Sequence, residues 1–262
     1  MFRYFGYGSN MALGSLRAKG VEPRASERAV LRGWRLRFNV SHFFRHEGGV
    51  GNIEPSENPT DAVWGVLHLC EHEHLALLDA AEAYGHGYDR IEVSVLADSG
   101  VKRALTYVGM PSFIDDGCRP TQRYLNILLQ GATANGLDPA YLDMLRRLPT
   151  HEKRPVPRFV PPPGRYPAFN AATLAERPLL TALAGAVFDM SGARSQHRFL
   201  QDLFGGRDMT LFHLKRLDHS DGRETLDDIR NDRLTPAQRQ YLDEYLHEYN
   251  SEYGYVGRYL YE

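Results

Sequence analysis

Residues 1–112 alternate short apolar runs with polar, glycine-containing turns, a pattern typical of a β-rich domain. The best strands are predicted at residues 30–39, 62–69, 90–97 and 103–108. Apolar residues that recur at helical spacing predict helices at residues 73–83, 121–135 and 139–148. We therefore expect an α+β fold in which helices pack around a small mixed β-barrel.

A proline-rich stretch at residues 155–164 interrupts this pattern, because prolines disfavour both helices and central strands. The sequence beyond it predicts strands at 180–184, 186–189 and 253–260 and helices at 209–217 and 236–249. We predict two domains and a connection: a first domain at residues 1–154, a proline-rich linker at 155–172 and a small α+β domain at 173–262.

Composition narrows the class of protein. The 262 residues are 42% hydrophobic and 24% charged, and the net charge of -2 gives no electrostatic case for binding nucleic acid. No apolar run is long enough to span a membrane, and no signal-peptide pattern is visible. Two cysteines cannot build a disulfide framework, so we expect a reduced, cytoplasmic protein.

The run at residues 4–10 reads as a strand that breaks into a polar turn. Gly8 lets a ligand approach the backbone closely, and Ser9 and Asn10 are predicted to cap a helix at 11–16. A bare turn before a helix presents backbone N–H groups to an anionic or polarised ligand. An ordinary strand-to-helix turn remains the alternative.

Glu82 lies where an apolar helical stretch ends, shortly before the predicted strand at 90–97. A lone carboxylate among apolar and aromatic neighbours suits a general acid and base. The alternative is a solvated glutamate at a helix end.

Several short segments in this order resemble the γ-glutamylcyclotransferase family over roughly residues 1–150. They are residues 7–10, 33–39, 51–55, 63–67 and 79–82, followed by Tyr124 and residues 136–137. The resemblance implies a small mixed barrel and an internal cyclisation, in which the substrate's α-amine attacks its own γ-carbonyl. The products are 5-oxoproline and a free amine.

The resemblance assigns Glu82 as the catalytic residue, which takes a proton from the substrate's ammonium group and delivers it to the leaving amine. Nucleophile and electrophile share one molecule, so the implied acyltransferase or lyase chemistry needs neither a metal nor a cofactor. The positions assigned to substrate binding are Tyr7, Gly8, Ser9, Asn10, Tyr88 and Tyr124.

The sequence leaves the substrate open, because glutathione, γ-glutamyl amino acids and γ-glutamylated amines present the same half to a pocket. The oligomeric state is also open. The alternative function is that of a binding protein without catalytic activity, whose barrel only holds a ligand. Residues 71–74 alternate Glu and His, but their spacing matches no zinc motif, so we predict no metal site.

Residues 173–262 resemble the cytochrome b5-like haem-binding domain of the membrane-associated progesterone receptor type. The segments that carry this likeness are 187–189, 204–208, 227–229, 234–238 and 255–260. That family ligates haem through a tyrosine before the Gly-Arg-Asp turn, and residues 190–205 contain none. Two routes follow: haem held by a substitute ligand, His197 or His213, or a domain without haem. The missing tyrosine favours the second route.

Overall fold

The computed structural model describes residues 1–153 and 155–261, which form two compact units. Unit 1 comprises Met1–His42 and Glu47–Glu152, and unit 2 comprises Phe43–His46 and Lys153–Glu262. The main boundary between the units falls at residues 152–153, just before the proline-rich stretch. The assignment of Phe43–His46 to the second unit differs from the continuous first domain that we predicted at 1–154.

Unit 1 contains the predicted strands and helices, with most ends within three residues of the expected positions. Its strands are β1 (Phe2–Gly6), β2 (Ala25–Arg32), β3 (Trp34–Ser41), β4 (Gly49–Pro55), β5 (Ala62–Cys70), β6 (Tyr88–Ala97) and β7 (Gly100–Gly109). Its helices are α1 (Leu13–Arg17), α2 (His74–Ala81), α3 (Gln122–Ala134) and α4 (Pro139–Arg146).

Five of these strands close into a barrel in the order β1-β5-β2-β6-β7. Neighbouring strands are antiparallel except at the closure, where β1 runs parallel to β7 and Tyr4 pairs with Leu105. Phe5, Val63 and Val95 are fully buried in the apolar core of this sheet. The predicted barrel is confirmed, and it holds β1 firmly up to the polar turn that follows.

The single strand predicted at 30–39 is wrong, because the chain turns within it. Gly33 has a φ of +73°, a left-handed conformation that suits glycine and ends β2 before β3 begins. β3 then pairs with β4 in a separate two-stranded sheet. Asn52 and Ile53, within the segment 51–55 that carries the family resemblance, therefore lie in β4 outside the closed barrel.

Side-chain caps fix the starts of α3 and α4 in unit 1. Thr121 accepts a hydrogen bond from the Tyr124 backbone N–H at 3.2 Å, and Asp138 accepts one from Ala140 at 2.7 Å. Each cap stabilises its helix by about 1 kcal/mol. The first cap also fixes where Tyr124 enters α3.

Unit 2 combines a four-stranded sheet with several helices. Its strands are β8 (Ala168–Phe169), β9 (Leu180–Leu183), β10 (Ala186–Asp189) and β11 (Tyr255–Tyr259), in the order β8-β11-β10-β9. Its helices are α5 (Ala171–Ala175), α6 (Arg198–Phe204), α7 (Thr210–Leu214), α8 (Leu226–Arg230) and α9 (Pro236–Glu252). Across the described residues of the chain, no helix is long and apolar enough to cross a membrane.

The core of unit 2 is aromatic, and it includes a segment from far earlier in the chain. Phe44 is 3% exposed and stacks on Tyr249 with a centroid distance of 5.2 Å. The Glu248 carboxylate accepts hydrogen bonds from the backbone N–H groups of Arg45 and His46 at 3.2 and 3.3 Å. Phe43–His46 is therefore a built-in part of this unit.

Candidate active site

The polar turn after β1 brings Asn10 into the interior of unit 1. Residues Ser9–Met11 form one 3-10 turn, and the Asn10 side chain is only 4% exposed. We expected Ser9 and Asn10 to cap a helix, and this is wrong: no side-chain cap is present, and α1 starts later, after Ala12. The Asn10 amide is instead committed to a tertiary contact.

Gly8 is needed for space rather than for an unusual backbone angle, since its φ is −107°. A Cβ at Gly8 would lie 2.9 Å from the Tyr124 hydroxyl oxygen, and a Cβ at Gly51 would lie 3.0 Å from it. Two glycines therefore allow the backbone to close around that hydroxyl group.

Glu82 follows α2 directly, as the sequence predicts, and a tight turn fixes its direction. The Ala83 N–H bonds the Ala80 carbonyl at 3.3 Å, and the Tyr84 N–H bonds the Asp79 carbonyl at 2.9 Å. This is the Schellman pattern of helix ends, which places Ala83 in the left-handed region at φ 49°. A position usually taken by glycine thus carries an alanine immediately after Glu82.

The two features that the sequence singled out meet here. Asn10 Nδ2 donates a hydrogen bond to Glu82 Oε1 at 2.8 Å and another to the Tyr4 hydroxyl at 2.7 Å. Lys19 Nζ lies 2.5 Å from Asn10 Oδ1 and 3.1 Å from Glu82 Oε1. Both contacts of Glu82 fall on Oε1, and within the described residues its other oxygen, Oε2, makes no hydrogen bond.

Three of the predicted tyrosines converge on the backbone of Gly51 in β4. Tyr88 donates to the Gly51 carbonyl at 2.7 Å, and Tyr7 lies 3.5 Å from the same oxygen while donating to the Tyr107 carbonyl at 2.7 Å. The Tyr124 hydroxyl accepts from the Gly51 N–H at 3.1 Å. Tyr124 also accepts from the backbone of Ser9, so the turn after β1, β4 and α3 share one hydrogen-bond network.

These phenols are neutral at ordinary pH. Burial is the main cause of a raised pKa at Tyr4, Tyr7 and Tyr88, and the nearby charge of Glu82 raises each pKa further. Burial also raises the pKa of Tyr124 to about 12. The carboxylate is therefore surrounded by hydroxyl groups that keep their protons.

His68 supports this turn from β5. Its Nε2 lies 2.9 Å from the Asn10 carbonyl, and its Nδ1 lies 2.8 Å from the Ser26 hydroxyl. Burial lowers the pKa of His68 to about 4, so the ring is neutral, donates from Nε2 and accepts from Ser26. The neutral imidazole thereby fixes the Asn10 backbone.

The structure brings together Glu82, Asn10 and the three tyrosines, while Ser9 contributes its backbone. Sequence reasoning missed Lys19, Gly51 and Tyr4 as members of the site. Tyr4 and Gly51 lie in the segments 4–10 and 51–55, which the sequence analysis singled out. Nothing in the sequence around Lys19 distinguishes it from other lysines. Among the described residues, no group of three or more His, Cys, Asp and Glu side chains is arranged to hold a metal ion.

The two candidate haem ligands in unit 2 do not fit an axial role. His197 is buried, with Nδ1 2.9 Å from the Tyr253 hydroxyl and Nε2 2.8 Å from the Phe43 carbonyl. His213 is also buried, with Nε2 2.9 Å from the Tyr249 hydroxyl and its ring 3.8 Å from that of Tyr245. Ligation of iron would break these contacts and displace packed rings.

Comparison with known proteins agrees with the fold of unit 1. Residues 62–145 match the model of the AIG2-like family. γ-Glutamylcyclotransferases of Bos taurus and Homo sapiens are each 28% identical to this chain over 151 residues, which is 56% of this chain and 78% of each relative. The chain is thus similar to the AIG2-like family over residues 62–145 and, at modest identity, to γ-glutamylcyclotransferases over about half of its length.

Solved structures give the same picture of the fold. A structure named γ-glutamyl cyclotransferase has a TM-score of 0.51 and 27% identity, and the likeness covers 58% of this chain and 90% of that one. YkqA from Bacillus subtilis, at 24% identity and a TM-score of 0.51 over 57% of this chain and 56% of its own, shares the fold. Several of the proteins that this chain resembles are named as an enzyme, γ-glutamylcyclotransferase.

Proposed function

We propose that unit 1 is a γ-glutamyl cyclotransferase in which Glu82 is the general base and acid. The observation that supports the proposal most strongly is how the Glu82 carboxylate is held. Its Oε1 is in contact with Asn10 and Lys19, which leaves Oε2 for a substrate. An oriented carboxylate with one oxygen available can accept and return a single proton.

In the proposed reaction, Glu82 removes a proton from the substrate's α-ammonium group, and the resulting amine attacks the γ-carbonyl carbon. The bond from that carbon to the leaving nitrogen then breaks as Glu82 returns the proton to that nitrogen and the carbonyl group re-forms. The ring nitrogen loses its second proton through Glu82 to the departing amine, so the products are a neutral lactam and an ammonium group. Tyr7 and Tyr88 donate their hydroxyl protons to backbone carbonyls and so shape the site. The Tyr124 hydroxyl group accepts from backbone N–H groups, so its own proton can be donated to the substrate.

The test is a screen of glutathione, γ-glutamyl amino acids and γ-glutamylated amines for release of 5-oxoproline. We expect Glu82→Gln to reduce turnover about a hundredfold or more, because glutamine cannot exchange the proton. Glu73→Gln is the matched control, since Glu73 is exposed and directly precedes the same helix. Near-normal turnover by Glu82→Gln would exclude this role, and binding without turnover by the wild type would favour the binding protein instead.

N-acetylated γ-glutamyl compounds distinguish cyclisation from hydrolysis. They lack the nucleophilic amine, so we expect no reaction. Their cleavage would mean attack by water, which is a hydrolase reaction.

We further propose that unit 2 is a cytochrome b5-like domain without haem. The proposal is supported by the packed environments of His197 and His213 and by the lack of a tyrosine at residues 190–205. Hemin added to the full chain should give no defined Soret band. A stoichiometric Soret band that disappears in His197→Ala or His213→Ala would overturn this proposal.

A further inference from the structure

Lys19 reaches the candidate site from the turn that ends α1. The Gly20 and Val21 N–H groups bond the Arg17 and Leu16 carbonyls at 2.9 and 3.0 Å, so the backbone on both sides of the lysine is fixed. Leu16 and Val21 are fully buried and anchor this turn in the core. The turn therefore delivers one ammonium group to a defined place.

That place is shared by Asn10 and Glu82. Lys19 Nζ touches the amide oxygen that faces away from Glu82 and also the carboxylate oxygen Oε1. The side chains of Lys19 and Glu82 are only 15% and 17% exposed. Because solvent screens this pair weakly, its interaction is stronger than that of an ordinary surface pair.

The other groups that face Glu82 differ from Lys19 in charge. They are the hydroxyl groups of Tyr4, Tyr7, Tyr88, Tyr107 and Tyr124, which come from β1, the turn after it, β6, β7 and α3. These hydroxyl groups and Asn10 are neutral, and the Asp79 carboxylate, which accepts from Tyr107, is paired with Arg90. The ammonium group in contact with the Glu82 carboxylate thus comes from a residue outside the segments that resemble the family.

We propose that Lys19 is a positioning residue, whose ammonium group supplies the positive charge beside the Glu82 carboxylate and holds its Oε1 so that Oε2 faces the substrate. The inference rests on the proposed function, because it assumes that Glu82 must start the reaction without a proton. An opposite charge within about 4 Å favours the ionised carboxylate. The Lys19 ammonium group also orients Asn10, whose amide nitrogen donates to the same oxygen, Glu82 Oε1.

Two variants separate charge from shape. Lys19→Met keeps the length of the chain without the charge, and Lys19→Arg keeps the charge. Lys215→Met, an exposed lysine in unit 2, is the control. We expect the acidic limb of the kcat/KM profile of Lys19→Met to move to higher pH by about one to two units relative to the wild type. Above pH 8 the difference in kcat/KM between the two proteins should become smaller. Lys19→Arg should restore most of the wild-type profile.

A measurement without turnover keeps this inference separate from the proposed function. In the full chain carrying ¹³C-labelled glutamate carboxyl groups, the Glu82 signal is assigned as the one absent in Glu82→Gln. Its titration midpoint should rise by about one unit or more in Lys19→Met and stay unchanged in the control.

The outcomes are distinct. If no γ-glutamyl compound reacts but the Glu82 midpoint rises, the proposed function fails and the role of Lys19 in holding the charge stands. If the midpoint and the acidic limb are both unchanged in a folded Lys19→Met protein, the inference is wrong. A higher KM with an unmoved acidic limb also overturns it, because that result describes direct binding of the substrate by Lys19.

Discussion

The two units both bury tyrosines, but they use different parts of the side chain. In unit 1, Tyr7, Tyr88 and Tyr124 place their hydroxyl groups on backbone atoms close to Glu82. In unit 2, Tyr245 and Tyr249 act through their rings, which pack edge to face at 6.3 Å and surround Phe44. One residue type therefore builds a polar site in one unit and a hydrophobic core in the other.

The difference follows from what lies beside each ring. The tyrosines of unit 1 face a carboxylate and glycine backbone, where only a hydroxyl group can make the contact. The tyrosines on α9 are spaced four residues apart, so they share one face of the helix and meet other aromatic rings. We therefore expect hydroxyl removal to matter in unit 1 and ring removal to matter in unit 2.

The largest effect is expected at Tyr249. Tyr249→Ala should destabilise the protein by about 3–5 kcal/mol, because it leaves a cavity in a fully buried aromatic core. Tyr249→Phe should lose only the contact with His213, about 1 kcal/mol. Denaturant unfolding of both variants measures the difference. Equal losses in the two variants would mean that the hydroxyl group dominates here as well.

The next effect is a pH dependence that arises at His68. Its pKa is lowered to about 4 in the folded state by burial, against 6.5 for an ordinary histidine. Above pH 6.5 the ring is neutral in both states, and as the pH falls from 6.5 to 4 only the unfolded state gains the proton. Unit 1 should therefore lose about 2–3 kcal/mol over this range. Thermal unfolding of wild type and His68→Gln at several pH values tests this, with exposed His86→Gln as the control.

Tyr124→Phe tests the hydroxyl group directly. Its removal leaves the buried Gly51 N–H without its acceptor, which should destabilise unit 1 by about 2 kcal/mol and weaken substrate binding. Tyr84→Phe is the control, because Tyr84 is 43% exposed and its ring keeps the contact with Arg90. Unchanged stability and KM in Tyr124→Phe would remove the contrast between the units.

Asp208 gives unit 2 the opposite pH dependence. Burial raises its pKa to about 6, although hydrogen bonds from Thr210 and Tyr261 favour the charged form. The folded state then holds its proton more tightly, so stability is greatest below pH 4 and falls by about 1–2 kcal/mol as the pH rises to 6. Asp208→Asn should flatten this part of the profile. A stability that rises between pH 4 and 6 in wild type but not in Asp208→Asn would contradict the sign.

The smallest effect concerns two alanines in the left-handed region, one in each unit. Ala184 has a φ of 47° and, with Gly185, forms the two-residue turn between β9 and β10. Asparagine is preferred at this position of a type I′ turn, so Ala184→Asn should stabilise unit 2 by about 0.5–1 kcal/mol. Ala83 is buried after Glu82, and Ala83→Gly should change stability by less, because relief of strain is offset by lost packing and a more flexible unfolded chain. Thermal unfolding of the two single variants ranks them.

Much of the fold could be predicted from the local pattern of apolar and polar residues. Each failure has its own physical reason. Strands such as β5 and helices such as α3 carry their signal in their own residues. The division of the strand at Gly33 was missed because the apolar pattern continues through it. The caps predicted at Ser9 and Asn10 were wrong because a tertiary partner, Glu82, competes for the amide that a helix start would use.

At the candidate site, too, local sequence predicts some residues and misses others. Glu82 and the tyrosines could be predicted because they lie in recognisable segments. Lys19 is one basic residue among 31, and only the fold shows that its turn ends beside Glu82. Local sequence therefore indicates the chemical groups of a site better than it indicates the charges that tune them.

The membership of Phe43–His46 in unit 2 has a consequence for how the chain is made. The ribosome releases this segment about one hundred residues before Lys153, where the rest of unit 2 begins. At about 5–20 residues per second, that interval lasts roughly 5–20 seconds. During this time Phe44 has no finished core to enter, and a nascent chain that stops early carries an exposed phenylalanine. Synthesis of this protein therefore includes a period in which a loop with two phenylalanines is already made, while the rest of the unit that buries Phe44 is not.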